Sequence, residues 1–274
     1  MKVSRYFWNA AVAAAALLML APIIWMFSTS LKPEGEVLSS VPRWIPETPT
    51  LENYRELASR SSEFPVGRWL LNSQGIALTV TLLVLLVTSM AAFAFSRLHF
   101  RGRDRLFMLA VATLMIPAQV SLIPVFLIVQ QLGWFNTYPG LIVPALASTF
   151  GVFLLRQFFI TIPAEYEEAA TLDGANVATI FWKVILPLGK PALATLGIFT
   201  FLGSWNDFVW PLIISNDIEM RTLPVGLTIF QGRFTTEYGI TMAAAVMATI
   251  PVIVAYLFFR RRITSGISLG GLKG

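Results

Sequence analysis

Long apolar stretches alternate with short polar segments along the whole chain. A helix needs roughly 20 mostly apolar residues to cross a bilayer core of about 30 Å, and six stretches come close to or exceed that length. Their continuity favours helices over the short alternating strands of a membrane barrel. The pattern predicts an all-α integral membrane protein, a single transmembrane domain over residues 1–274 with transmembrane helices at about 8–28, 76–95, 106–129, 141–159, 192–214 and 242–259.

The first apolar stretch follows Lys2 and Arg5 and could be mistaken for a secretory signal. Such a signal has a shorter apolar core of about 7 to 15 residues, followed by a small-residue cleavage site. No clear site of that kind follows here. We therefore expect this stretch to be retained as the first transmembrane helix.

Lysine and arginine are concentrated on the side of the predicted membrane that holds both termini. Thirteen of the 20 lie there: Lys2, Arg5, Arg97, Arg101, Arg103, Arg105, Arg156, Lys183, Lys190, Arg260, Arg261, Arg262 and Lys273. Because cytoplasmic loops carry an excess of these residues, the sequence predicts a multi-pass membrane protein with both termini in the cytoplasm. The pI of 9.7 then reflects topology, and basic residues spread over membrane-flanking loops do not favour nucleic-acid binding.

The chain lacks the residue types on which many catalytic and metal sites depend. It has 56% hydrophobic and 13% charged residues, no cysteine and one histidine, His99, in a basic cytoplasmic loop. Disulfides, thiolate metal sites and histidine-based triads are therefore excluded. We predict no catalytic residue and no metal site.

Two polar segments interrupt the apolar pattern. Residues 31–69 form a predicted outer loop, in which five prolines prevent a long helix while the apolar spacing at 51–59 favours one short helix. Residues 161–188 form a predicted cytoplasmic loop that consists of a helix, a turn and a second helix.

The first helix of this cytoplasmic loop has clear start and stop signals. Thr161 can cap it, and Pro163 suits a position near its first turn. Gly174, after Asp173, favours the left-handed conformation that ends a helix. Negative charge suits the early turns, where the helix dipole is positive, and three glutamates follow the proline: Glu165, Glu167 and Glu168.

The second helix of the loop can be capped by Asn176 and is predicted to stop before Pro187. On the first helix, helical spacing puts four residues on one face, with small side chains in its middle that a partner groove could approach closely: Tyr166, Ala169, Ala170 and Asp173. The alternative, an amphipathic helix that rests on the bilayer, is disfavoured because acidic residues bind an anionic leaflet poorly. We interpret the loop as a docking element for a soluble partner.

Prolines within the predicted transmembrane helices remove backbone donors at Pro117, Pro124, Pro144 and Pro251. Such breaks are tolerated where neighbouring helices or a water-filled cavity satisfy the freed carbonyls. Gln119 lies between the first two of these prolines and is a candidate for the lining of a solute path. Ordinary kinked packing is the simpler explanation of the same prolines.

The fifth predicted transmembrane helix contains Trp205, Asn206 and Asp207. An acidic residue within a membrane helix suggests a functional site, and an indole ring can stack on the apolar face of a sugar. Amide and carboxylate groups offer hydrogen bonds to hydroxyls. The three residues are candidates for the substrate path, although capping or bridging of helices is an equally good explanation.

The cytoplasmic loop resembles a motif of the permease subunits of bacterial ABC importers. The matching residues are Glu168-Ala169-Ala170, Gly174 after three further residues, and Val184 with Leu186-Pro187 after nine more. The resemblance covers nearly the whole chain and includes Leu71–Ser73, Arg156–Phe159 and Ser204–Phe208. It is strongest to the MalG-like branch of the carbohydrate-uptake group, which also takes up glycerol phosphate and related solutes.

The resemblance implies a type I importer permease of the bacterial cytoplasmic (inner) membrane that forms half of a pore. Its partners would be a second permease subunit, two ATPase subunits that bind ATP and Mg²⁺, and an extracytoplasmic solute-binding protein. This chain has no phosphate-binding G-x-x-x-x-G-K-[ST] loop, which fits a transport subunit without an ATPase site and without its own cofactor. The residues implied to couple it to the ATPase are Glu168, Ala169, Ala170, Asp173, Gly174, Leu186 and Pro187, and candidates for contact with the binding protein are Gln231, Gly232 and Arg233.

Two other classes of protein remain as alternatives. An ion-coupled secondary transporter acting alone usually needs internal repeats and several buried ionisable groups, and a membrane enzyme needs a catalytic cluster. We find neither pattern in the sequence. The expected cargo is a carbohydrate or sugar-like solute, such as a sugar, an oligosaccharide or a glycerol-phosphate-type compound.

Overall fold

The structure is a computed structural model that describes residues 2–39, 41–230 and 237–268. Within those ranges it is helical, with no β-strand. The helices are α1 Lys2–Ser30, α2 Glu34–Val37, α3 Glu52–Ser59, α4 Val66–Arg97, α5 Arg103–Ala112, α6 Ala118–Gln131, α7 Tyr138–Ile142, α8 Thr149–Phe159, α9 Glu165–Leu172, α10 Val177–Ile180, α11 Leu186–Leu188, α12 Lys190–Trp205, α13 Val209–Ile214, α14 Leu223–Leu227 and α15 Tyr238–Ser268.

Two continuous helical segments among the described residues are long and apolar enough to cross a membrane, Phe7–Ser30 and Val66–Arg97. Three bent helix pairs bring the number to as many as five if each pair is one crossing, and Tyr238–Val254 is a shorter apolar helix. The short helix expected at 51–59 is confirmed as α3. Six crossings, and one transmembrane domain over the whole chain, stay predictions.

The third and fourth predicted transmembrane helices are not continuous. The third, 106–129, bends by 103° between Met115 and Ala118. Ile116 has extended backbone because it precedes Pro117, whose ring disfavours a helical residue before it. The fourth, 141–159, bends by 42° where Ser148 starts α8 by accepting a hydrogen bond from the Gly151 N–H.

The prediction of a continuous fifth transmembrane helix at 192–214 is also wrong. Helix α12 ends at Trp205 and α13 begins at Val209. In an unbroken helix Pro211 would have no N–H for the carbonyl of Asp207, and its ring would clash with that carbonyl. The helix breaks instead, so that Asp207 lies in the break and not within a helix.

The chain divides into two compact units, of which the first contains the residues up to Arg68 together with Leu223–Ile253. Its hydrogen bonds centre on the buried amide of Asn53, which donates to the carbonyls of Ser30 at 2.9 Å and Lys32 at 2.8 Å, just where α1 ends. Arg60 contributes an ion pair with Glu237 at 3.0 Å. The Asn53 amide thus satisfies two carbonyls that have no helical partner.

The second unit contains Trp69–Thr222 and the chain from Val254 onward. One apolar cluster joins the later turns of α4 to α8, to the loop at 161–188 and to the start of α12: Ala92, Phe93, Leu155, Phe159, Ile162, Ile180, Phe181, Ile185, Ala192 and Leu196. A second cluster joins the earlier turns of α4 to α6, α7 and α13: Ile76, Val80, Val84, Val129, Leu141 and Ile214. Helix α4 is therefore the common element of both cores.

We expect Asn53→Ala to destabilise the first unit by about 1 to 3 kcal/mol, because two buried carbonyls lose their donor. Thermal unfolding of the purified protein in detergent would show this as a lower midpoint. Arg55→Ala, at an exposed position of the same helix, is the matched control and should leave the midpoint unchanged. Equal midpoints for both variants would contradict this role of Asn53.

Candidate functional site: a surface loop and a polar cavity

Helix α9 begins the predicted docking loop with three acidic residues in its first turn, as expected: Glu165, Glu167 and Glu168. The residue that caps its start differs from the predicted Thr161. Ala164 precedes the helix, and the Thr161 hydroxyl donates to the carbonyl of Phe158 at 2.7 Å. Thr161 thus closes the end of α8, because that carbonyl lies within its reach.

The turn after α9 is closed by two backbone hydrogen bonds. The N–H of Gly174 donates to Thr171 at 3.0 Å and that of Ala175 to Ala170 at 2.9 Å, which is the pattern of a Schellman motif. Gly174 has φ +81° in the left-handed region, and a Cβ built there would meet no atom within 4 Å. Glycine is thus favoured at this position by backbone conformation alone and not by lack of space.

The second helix of the loop starts as predicted, since the Asn176 side chain accepts a hydrogen bond from the Thr179 N–H at 2.8 Å. It does not stop before Pro187, however, but continues to Leu188 through a π-helical turn at Phe181–Ile185. In this turn the Leu186 N–H donates to the carbonyl of Phe181, five residues back. The wider turn accommodates the proline ring next to a carbonyl with which it would clash in a regular helix.

The residues that resemble the coupling motif do not all face solvent. Glu168, Ala169, Asp173 and Gly174 are exposed, whereas Ala170 is half-buried against the apolar cluster at the end of α4. The expected single face of Tyr166, Ala169, Ala170 and Asp173 is therefore divided, with Ala170 turned to the body of the unit. In the second helix Leu186 packs against the same cluster and Pro187 is exposed.

Leu172 is 89% exposed, and sequence reasoning did not select it. Tyr166, on the same helix, is 53% exposed. The sequence contained a signal for this exposure, because Leu172 does not follow the helical spacing of the residues that pack against the core. Leu172 and Tyr166 thus add exposed apolar area to the otherwise polar surface of α9.

A cavity of about 290 Å³ lies within the second unit. Six of its lining residues carry a hydroxyl or carboxylate: Ser73, Ser148, Thr200, Ser204, Asp207 and Thr222. The remaining lining is apolar or glycine, including Val80, Leu196 and Phe199. Asp207 is the only ionisable residue of the lining, so the cavity combines one negative charge with several hydroxyl groups.

Hydrogen bonds near the helix breaks position the polar groups of this cavity. The Asp207 carboxylate accepts a hydrogen bond from the Trp210 N–H at 3.4 Å, at the start of α13. Asn72, buried in α4, donates to the carbonyls of Glu219 at 2.7 Å and Arg221 at 2.9 Å and thereby places Thr222. The Thr222 hydroxyl is buried and has no hydrogen-bond partner among the described residues.

Of the four predicted substrate-path residues, only Asp207 lines the cavity. Trp205 is buried and stacks on Phe201 at 5.9 Å between ring centroids, and the Asn206 amide donates to the carbonyl of Leu202 at 2.8 Å. Gln119 is exposed on α6. Their role in a solute path stays a prediction, and Gln231, Gly232 and Arg233 lie outside the described residues.

Sequence reasoning missed the hydroxyl residues of the cavity. Thr200, Ser204 and Asp207 follow one another at i, i+4 and i+7, the spacing of one helix face. That spacing was a usable signal for these three. Ser73, Ser148 and Thr222 come from distant parts of the chain and have no such signal.

Residues 84–268 match the family model described as "Binding-protein-dependent transport system inner membrane component". The chain belongs to this family. The predicted all-α fold class and the resemblance to ABC importer permeases are thereby confirmed, and the protein is a membrane transport permease component.

Relatives and a solved structure agree with this assignment over almost the full chain. The arabinooligosaccharides transport system permease protein AraQ of Halalkalibacterium halodurans is 33% identical over 96% of this chain and 94% of the relative. The sulfoquinovosyl glycerol transport system permease protein SmoH of Agrobacterium fabrum is 36% identical over 96% and 93%. A chain from the crystal structure of a bacterial ABC transporter involved in the import of the acidic polysaccharide alginate is similar with a TM-score of 0.85, at 26% identity over 95% of this permease and 96% of that chain.

We expect Gly174→Ala to weaken the turn of the loop by about 1 to 2 kcal/mol, the cost of a left-handed conformation for an L-residue. Hydrogen exchange in the isolated permease should then become roughly 5- to 30-fold faster at the Gly174 and Ala175 amides. Gly174→Asn, which tolerates this conformation, is the control and should stay close to the wild type. Equal rates in all three proteins would mean that the left-handed turn does not control opening of the loop.

Proposed function

We propose that this permease is one of two membrane subunits of an ABC importer that moves a carbohydrate or sugar-like solute into the cytoplasm. The observation that carries the proposal is the loop at α9 and α10, which presents Glu168, Ala169, Leu172 and Asp173 to solvent on a rigid, capped turn. An exposed surface of this kind suits a soluble partner. Two ATPase subunits are the proposed partners, and they bind the ATP and Mg²⁺ for which this chain has no phosphate loop.

The solute class is supported by the relatives and by the cavity. The names of two relatives refer to arabinooligosaccharides and sulfoquinovosyl glycerol, both of which carry sugar hydroxyls. Hydroxyl and carboxylate groups such as those of Ser204, Asp207 and Thr222 can exchange hydrogen bonds with such solutes, while the apolar wall contacts the sugar ring. A cavity of about 290 Å³ is at the lower limit for a small-molecule site and fits a single sugar unit.

The proposed assembly contains a second permease subunit and an extracytoplasmic binding protein that delivers the solute. In this assembly the loop and both termini lie on the cytoplasmic side of the membrane, and the asymmetry of lysine and arginine supports that orientation. ATP-driven closure of the ATPase subunits moves the loop, and the loop moves the helices on which it rests. Helix α4 contributes to the cluster at the loop and to the cluster at the cavity, and it thereby connects the two regions.

A secondary transporter that acts alone remains the competing function. It would use a coupling ion in place of ATP, and Asp207 is the one ionisable residue of the cavity lining. Because such a transporter works without ATPase subunits, it does not need an exposed docking surface on the loop. The two functions differ in whether uptake requires the ATPase subunits.

We expect Glu168→Lys to abolish binding-protein-stimulated ATP hydrolysis and solute uptake together in liposomes that contain the assembled complex. A reversed charge at a protein interface costs several kcal/mol, so a loss of at least roughly tenfold is expected. Glu52→Lys is a matched control, because Glu52 is an exposed first-turn glutamate of α3, far from the loop in sequence. Uptake that persists without any ATPase subunit would favour the secondary transporter instead.

We expect Asp207→Asn to keep the start of α13 intact and to lower uptake about tenfold, which corresponds to a loss of about 1.4 kcal/mol. Asparagine caps a helix nearly as well as aspartate but has no charge. Asp207→Ala, which removes both the cap and the charge, should also lower the thermal midpoint. Asp217→Asn is the control, because Asp217 caps residues 218–220 without lining the cavity. Unchanged uptake in Asp207→Asn would remove the carboxylate from the solute path.

A further inference from the structure

The side chain of Arg97 joins three parts of the second unit. Arg97 is the last residue of α4, and its guanidinium donates to the carbonyl of Phe159 at 2.6 Å and to that of Ile162 at 2.5 Å. Phe159 is the last residue of α8, and its carbonyl also accepts the Ile162 N–H at 3.1 Å, while Ile162 lies in the loop just beyond the helix. The negative end of the α8 dipole also favours a cation at this position.

The same guanidinium reaches the first turn of the docking loop. Arg97 Nε lies 3.0 Å from Glu167 Oε1, in an ion pair rather than an aligned hydrogen bond. The side chains of Arg97 and Glu167 are only 13% and 21% exposed. Glu167 is therefore not part of the solvent-facing surface of α9 that carries Glu165 and Glu168.

A second arginine connects the same two helices in the opposite direction, from α8 to α4. Arg156, in the last turn of α8, donates from Nε to the carbonyl of Phe95 in α4 at 3.2 Å. Its guanidinium also lies 4.0 Å from the ring centre of Phe107 in α5. Each of α4 and α8 thus sends an arginine to carbonyls of the other, so that the ends of the two helices are tied together.

We propose that Arg97 is a positioning residue that holds the docking loop to the end of α4, so that a movement imposed on α9 is passed to α4 and not lost in the loop. This inference rests on the proposed function, in which an ATPase subunit moves the loop. Arg97 is thus a linking residue that lies neither on the solvent-facing surface of α9 nor in the lining of the cavity.

The geometry favours arginine over other residues for this link. A planar guanidinium offers five N–H donors in fixed directions, and here it contacts two carbonyls and one carboxylate on two segments. Because the two side chains are mostly buried, separation of the pair would leave a largely buried charge without its partner. The loop is therefore expected to move with α4 as one body.

Distances between spin labels would test this link directly. The chain has no cysteine, so labels at His99→Cys, just after α4, and Thr171→Cys, on α9, can be read in a complex with cysteine-free partner subunits. The doubly labelled permease must first retain uptake. We expect one narrow distance distribution that is the same without nucleotide and after trapping with ADP and vanadate.

We expect Arg97→Met to broaden or shift this distribution and to reduce the solute transported per ATP hydrolysed roughly 2- to 30-fold, the range seen for residues that couple distant sites. Glu167→Ala should act in the same direction without removing the donors to α8, and it keeps the test valid if Arg97→Met fails to assemble. The double variant should be no worse than Arg97→Met alone, because both changes break one contact. The controls are Arg101→Met, an exposed arginine just after α4, and Glu52→Ala, an exposed glutamate outside the docking loop.

The outcomes separate this inference from the proposed function. Distance distributions and coupling ratios that match the wild type in both Arg97→Met and Glu167→Ala would overturn the role of Arg97. A wild-type complex without binding-protein-stimulated ATP hydrolysis would instead overturn the proposed function. In that case the label distances of the permease alone still decide whether Arg97 holds α9 to α4.

Discussion

Backbone groups at helix ends and helix breaks must be paired where water is scarce, and much of this structure depends on how that requirement is met. The chain meets it with polar side chains, some from nearby turns and some from distant segments. Arg97 serves the end of α8, Asn53 serves the end of α1, and Asp207 serves the start of α13. Each contact satisfies backbone groups and also joins two segments.

The same constraint positions both functional regions of the permease. The break before Pro211 ends α12 and leaves Asp207 beside the hydroxyls of Thr200 and Ser204. At the other region, the Schellman turn at Gly174 and the π turn before Pro187 give the loop a defined shape. Helix α4 packs against both regions and is the element that they share.

Much of the loop could be predicted because its signals are local. The early glutamates, the helix end at Gly174 and the cap at Asn176 depend on residues within one turn of each other, and all three agree with the structure. The predicted cap at Thr161 was wrong because its hydroxyl has a competing acceptor at Phe158, in the turn before it. The sequence around Thr161 does not show which of two possible hydrogen bonds its hydroxyl makes.

The positions of the helix breaks were harder to predict. Pro117 and Pro211 accompany breaks, whereas Pro124 and Pro251 lie within continuous helices. A proline removes one donor and adds a steric clash in every case. Whether the helix breaks or bends around it depends on which neighbouring groups can satisfy the freed carbonyls.

The sequence by itself determined the all-α membrane class, the family and the helix signals of the loop at 161–188, because apolar length and short-range capping are properties of consecutive residues. Only the tertiary structure decided that Asp207 and not Trp205 lines the cavity, that Ala170 is turned inward, and that Glu167 pairs with Arg97. These contacts join residues far apart in the chain or depend on which face of a helix is buried. They are set by packing between helices, on which local sequence patterns carry no direct information.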